Sequence, residues 1–143
     1  MRYFVVNGAP ITKGRPRFSR KSGTTYTPAK TGEYENLIKL SYRESCPDEP
    51  LYGNDAQLFV SICAYMAIPS TASKKKRQEM INGNIRPTKK PDVDNIVKTI
   101  LDAGNGVIWH DDKSVVDVHV SKWYAETPRV EVMVDTAELP VPF

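Results

Sequence analysis

The chain has 143 residues, 40% of them hydrophobic and 26% charged, which suits a single folded domain over residues 1–143 and is too short for two ordinary ones. No apolar run approaches the roughly 20 residues a membrane span needs, and the short apolar start is broken by Asn7, Gly8 and Pro10. A signal peptide and a membrane partner are therefore excluded from the reading, and a cytoplasmic location is expected. The net charge of +3 excludes little, while two cysteines, Cys46 and Cys63, are too few and too far apart for a disulfide framework or a zinc site and read as free thiols.

In chain order, RYFVV at 2–6 reads as a first strand. The Gly-, Pro-, Ser- and Thr-rich stretch from Asn7 to Thr31 reads as a mobile arm or β-ribbon, and a loop of that length in a compact domain is usually functional. Tyr34, Leu37, Ile38 and Tyr42 fall on one helical face, predicting a helix from Pro28 to about Arg43, with Thr27 as N-cap and Pro47 beyond its end. From Ala56 to Met66 apolar residues occupy both faces of an extended segment, as in an interior strand. Ser70 or Ser73 can cap a short basic helix through SKKKRQEMING, ended by Gly83. A third helix runs from about Asp94 to Ala103 and stops at Gly104, its core stripe made by Ile96, Val97, Ile100 and Leu101. Alternation at Val116, Val118 and Val120 and again at Val130, Val132 and Val134 predicts a terminal hairpin closed near Glu126-Thr127-Pro128. The order β-α-β-α-α-β-β points to an α/β chain of the α+β type, a mixed or antiparallel sheet with helices packed on it.

Charge is distributed unevenly along these elements. Residues 1–32 carry seven basic side chains and no acid, and residues 74–90 carry seven more against Glu79 alone. Residues 92–117 hold six aspartates against Lys98 and Lys113. Basic segments thus flank an acidic centre, the pattern expected of a protein that draws in a polyanion to a site which would otherwise repel it.

Within the centre, Asp92 and Asp94 are two apart where an extended segment enters the third helix, so their carboxylates can point to one side. Close like charges repel unless neutralised, and a divalent cation with oxygen ligands is the usual solution. Asp111 and Asp112 follow a helix and a turn that reverse the chain, a geometry able to bring a third carboxylate back to the first pair. Such a set suits Mg²⁺ acting on a phosphodiester, and Lys98, one turn after Asp94, could offset charge developing on phosphorus. Each residue also has a plainer reading. Asp92 or Asp94 can be an N-cap, Asp94 and Lys98 an exposed i,i+4 pair, and Asp111-Asp112 turn residues. Five aspartates in 21 positions with a lysine on their face favour a site over these separate readings. His110 could be a base or ligand but as a lone histidine reads as structural, His119 as a strand residue, and Trp109 and Trp123 as core or dimer-surface residues. In the basic segments, Lys13, Arg15, Arg17 and Arg20, interleaved with Phe18 and Tyr26, are candidate phosphate contacts, as are Lys74, Lys75, Lys76, Arg77, Lys89 and Lys90.

The stretch RPTKKPDVDNIVKTILDAGNGVIWHDDKSVVDVHVSKWYAE, residues 86–126, resembles the core of the RusA family of Holliday junction resolvases through its KPDxDNxxKxxxDAxNGxxxxDDxxV pattern. Weaker similarity covers the start at Gly8 to Arg17 and PSTASKKKRQ, so the resemblance extends over most of the chain. It implies the family's α/β homodimer and Mg²⁺-dependent, paired symmetric nicking of a four-way junction in DNA recombination and repair; the expected cofactor is Mg²⁺, and whether Mn²⁺ substitutes for it is left open. Family members are bacterial and often carried by prophages. Carried onto matching positions, the resemblance implies Asp92, Asp94 and Asp112 as catalytic and metal-binding aspartates, with Asp111 also acidic and Lys98 the catalytic lysine. Asn95 and Asp102 match the pattern too. The chain departs from it at Gly104, where the family often has Leu, and at Lys113-Ser114. Two other functions compete. A non-catalytic branched-DNA-binding module would keep the basic segments and use the aspartates structurally, and a hydrolase of small phosphate esters would have no need of those segments and little salt dependence.

Overall fold

The computed structural model describes residues 1–12 and 32–137 in full, and within 13–31 only the backbone at 17–18, 25–26 and 29–31. The elements are β1 (Arg2–Asn7), β2 (Arg17–Phe18), β3 (Thr25–Tyr26), α1 (Ala29–Ser45), β4 (Leu58–Ala67), α2 (Lys74–Ile81), α3 (Val93–Gly104), a 3₁₀ turn (Asp112–Ser114), β5 (Val115–Ala125) and β6 (Arg129–Thr136). A four-stranded sheet in the order β1-β6-β4-β5 carries the fold, and β2 and β3 pair separately as a small antiparallel ribbon. The expected α+β architecture and element order are present, with the ribbon added after β1. Thr27, expected to cap α1, lies outside the described residues.

Period-two alternation in β4 decides which face is covered. Leu58, Val60, Ile62, Ala64 and Met66 are buried, whereas Phe59, Ser61, Cys63 and Tyr65 are only half-buried. Leu58, Val60, Ile62 and Ala64 meet Phe4 and Val6 of β1, Val130, Val132 and Val134 of β6, Tyr34, Ile38 and Tyr42 of α1, and Ile96, Ile100 and Ala103 of α3 in one core. Both α1 and α3 thus lie on the same face of the sheet, and burial of their apolar stripes, rather than intrinsic helix propensity, holds them there. The stripe of α3 is centred on Ile96, Thr99, Ile100 and Ala103, with Val97 and Leu101 at its margin. In α2 Ser73 is the N-cap, its hydroxyl accepting from the Lys76 N–H at 3.2 Å.

The last two strands do not form the expected hairpin. β4 lies between them, parallel to β5 and antiparallel to β6, and residues 126–128 pass across its end. Alternation reports which side of a strand is buried but not which strand lies next to it, and the parallel β4–β5 pair becomes available because α2 and α3 supply the long crossover such a pair needs. β5 is consequently an edge strand.

Two packing details position the functional region. Trp109 is fully buried, its Nε1 donating to Asn105 Oδ1 at 3.0 Å, and its ring lies against Gly104 so closely that a Cβ there would clash. That contact explains the glycine at the end of α3 where the family pattern often has leucine. Beyond α2, residues 86–92 wrap over the edge of β5. Arg86 Nε donates to the Lys122 carbonyl at 2.9 Å, its guanidinium lies 3.6 Å over the Trp123 ring, and Lys122 Nζ donates to the Lys89 carbonyl at 2.6 Å. The wrap ends at the cis Lys90–Pro91 bond, after which α3 begins.

Candidate active site

Asp92 occupies the N-cap position of α3 with extended backbone, yet its side chain makes no capping hydrogen bond. Asp92, Val93 and Asp94 are all exposed, and Lys98 is exposed one turn further on. Asp94 and Lys98 are not within ion-pair distance. The plainer readings of these residues as a cap and a surface pair are therefore not realised in their side-chain geometry. What the fold does here is present two carboxylates and a lysine to solvent at the positive end of a 12-residue helix.

The second acidic group differs. Asp111 is the N-cap of the 3₁₀ turn, and its Oδ1 accepts the Lys113 N–H at 3.0 Å. That bond, followed by a hydrogen bond with the Asp112 side chain, holds the Asp111 carboxyl below its usual range. Asp112 is pushed upward, first by the shared hydrogen bond with Asp111, then by burial and by the charges of Asp111 and Asp102. Of the pair, Asp111 is committed to the backbone, and Asp112 is half-buried and repelled by its neighbours. A pair of this kind is relieved by a cation.

The two groups stand at opposite ends of α3. The charge of Asp102 is among those that push the Asp112 carboxyl upward, and Asp102 follows Asp94 by eight residues, about 12 Å along a helix axis. Asp92 instead lines a cavity with Val120, Ser121 and Lys122, well along β5 from Asp112. The chain reversal after α3 thus returns β5 to the first pair but leaves Asp112 at the far end. Among the described residues no three His, Cys, Asp or Glu side chains converge to hold a metal ion. One chain by itself does not fit a complete divalent-cation site, although each half has the donor chemistry.

The endodeoxyribonuclease RusA family model matches residues 7–135, nearly the whole chain and both acidic groups. The chain belongs to the RusA endodeoxyribonuclease family. It is also 40% identical over 135 residues to the uncharacterized protein YqaN of Bacillus subtilis (strain 168), a match covering 92% of this chain and 93% of that protein. Asp92, Asp94, Asp111 and Asp112 all fall within the residues matched to the RusA family.

The basic residues expected to contact phosphate in this RusA-family chain fall into three groups. Lys74, Lys75 and Lys76 are exposed on α2, and Arg77 beside them makes an ion pair with Glu126 at 3.2 Å. Lys89 and Lys90 are exposed immediately before Asp92. Lys13, Arg15, Arg17 and Arg20 lie outside the described residues, Arg17 being described only by its backbone in β2. Of the remaining candidates, His110 and His119 are exposed, Trp109 is a core residue, and Trp123 is half-buried beneath Arg86. The two residues that sequence reasoning passed over are Arg86 and Lys122. Arg86 is one of the seven basic residues of the 74–90 run, and a lone lysine in an alternating strand carries no local signal that its ammonium reaches across to the segment entering α3. No helix is long and apolar enough to cross a membrane among the described residues.

Proposed function

We propose that the protein is a Mg²⁺-dependent, structure-selective endonuclease that resolves four-way DNA junctions by paired symmetric nicks, acting as a homodimer in recombination and repair. The observation that carries this reading is the family match across residues 7–135, which includes the exposed Asp92–Asp94 pair, Lys98 and the repelled Asp111–Asp112 pair. Symmetric incision calls for two sites related by the two-fold symmetry of the substrate. The separated acidic groups add a second reason for a dimer: a symmetric copy can bring its Asp111–Asp112 pair to the Asp92–Asp94 pair of the first, which neither chain does internally. Surface for such a contact exists on the first half of β5, an edge strand with Val116 56% and Val118 41% exposed.

A divalent ion held there supplies positive charge to the scissile phosphate, and Mn²⁺ can fill the same role as Mg²⁺. The chain's own contribution is to hold Asp92 and Asp94 on a rigid helix end and to place Lys98 on the same exposed side. The basic side chains of α2 and of residues 89–90 attract the phosphate backbone without reading sequence.

The test is cleavage of a labelled four-way junction and a matching linear duplex, with Mg²⁺ or with chelator, by wild type and Asp92→Asn. Paired nicks in the junction alone, dependent on metal and absent from the variant, are expected. Binding to the junction without cutting under every condition would reassign the chain as a branched-DNA-binding module.

A further inference from the structure

The cavity between the 86–92 wrap and the edge of β5, about 440 Å³, is lined by Arg86, Pro87, Asp92, Val93, Val120, Ser121 and Lys122. Its charged lining is two cations and one carboxylate, and neither cation is within ion-pair distance of a carboxylate among the described residues. Both are pre-positioned. The Arg86 guanidinium is fixed on one face by the Trp123 ring and along its Nε edge by the Lys122 carbonyl, which leaves the two Nη groups to donate. The Lys122 ammonium uses one of three donors on the Lys89 carbonyl. The N-terminus of α3, uncapped by Asp92, enters the same cavity at Val93 and adds its dipole.

A structural role accounts for one donor on each side chain but not for the orientation of the rest. If their purpose were only to fasten the wrap to β5, two cations sharing a cavity whose single carboxylate, Asp92, ion-pairs with neither would be a net cost, since each also repels the other. A fixed guanidinium fork, a tethered ammonium and a helix N-terminus lining one open cavity are complementary to a tetrahedral oxyanion.

We propose that this cavity binds a phosphodiester of the DNA backbone next to the one that is cut, with Arg86 and Lys122 as its ligands. The inference rests on the endonuclease reading and deepens it, giving the second half of β5 a part in setting where along the strand Asp92 acts. A bound backbone phosphate there fixes the register of the strand on the helix end, whereas the exposed lysines of α2 can only attract it.

The experiment is equilibrium binding in chelator of four-way junctions carrying a single neutral methylphosphonate at each position around the cleavage point, by wild type, Lys122→Gln and Arg86→Gln. Urea midpoints establish that each variant is folded. One position at which methylphosphonate weakens wild-type binding about tenfold, and at which neither variant is further weakened, is expected. The salt slope of each variant should also flatten by about 0.9. Equal weakening of variants and wild type at every position, with unchanged salt slopes, overturns the proposal. The same holds if the variants lose only cleavage, which would make Lys122 a positioning residue acting through the Lys89 carbonyl, or if no methylphosphonate position weakens wild-type binding. In each of these cases wild-type cleavage of the junction still stands or falls by itself, so the endonuclease reading is judged separately. Should Arg86→Gln unfold by losing its seat on Trp123, Lys122→Gln carries the test.

Discussion

The two ends of α3 are made on different terms. At the C-terminal end Gly104 lies under the fully buried Trp109 ring, Asn105 receives the indole N–H, and Asp111 caps the turn that leads into β5. Asn105, the indole and Asp111 are used there by the fold, which leaves Asp112 as that end's repelled carboxyl. At the N-terminal end Asp92 stands at the cap position without capping, Asp94 and Lys98 are exposed and unpaired with each other, and an open cavity lined by Arg86 and Lys122 lies beside them. A helix end whose local needs are met serves stability, and one whose carboxylates are left uncommitted on a rigid support is available for chemistry.

Substitution at each end should separate these roles. Asp92→Asn should slow junction cleavage on the order of a thousandfold, while stability to urea stays within about 0.5 kcal/mol of wild type, because the carboxylate makes no cap bond to lose. A large fall in the urea midpoint would show that the N-terminal end is structural after all. Gly104→Ala should do the reverse. Its methyl would meet the Trp109 ring in a core with no slack, costing about 1–3 kcal/mol of stability while leaving DNA affinity of the folded fraction unchanged. An alanine variant as stable as wild type would mean that the ring can move and that the packing contrast is weaker than the geometry indicates.

Much of this layout was legible in the residues. The helical spacing of Ile96, Ile100 and their neighbours located α3, the two-faced apolar run located β4, and Asp92 and Asp94 stood out at the entry to a helix. Strand adjacency was not legible, because Val116–Val120 and Val130–Val134 carry identical alternation whether they pair directly or flank β4. The placement of Asp112 was missed for a related reason: a turn reverses the chain, but the distance then travelled before a residue is reached decides which end of the helix it meets. Arg86 and Lys122 were illegible as a pair because their meeting depends on the wrap over the β5 edge, which no local pattern announces.

The smallest expected effect is at Asp112, and its sign follows from the pair. Unfolded, an aspartate titrates near 3.9. In the fold the Asp112 carboxyl is held above that value by Asp111, by burial and by Asp102, so the fold binds a proton more tightly than the unfolded chain does and loses stability as pH rises from about 3.9 through the folded value. Asp111 is shifted the other way, so what it contributes is present above about 3.9 and is lost as pH falls below it. The two windows therefore lie on opposite sides of the ordinary carboxylate value. Asp112→Asn removes the upper one and should make the protein slightly more stable than wild type at pH 7, on the order of 0.5 kcal/mol after solvent screening, with the gain fading as pH falls toward 4. Paired urea titrations at pH 7 and pH 4 read the difference directly. A variant less stable than wild type at pH 7 would mean that Asp112 is held by a contact which outweighs its repulsion, and the C-terminal acidic pair would then belong to the packed end of α3 instead of to the site.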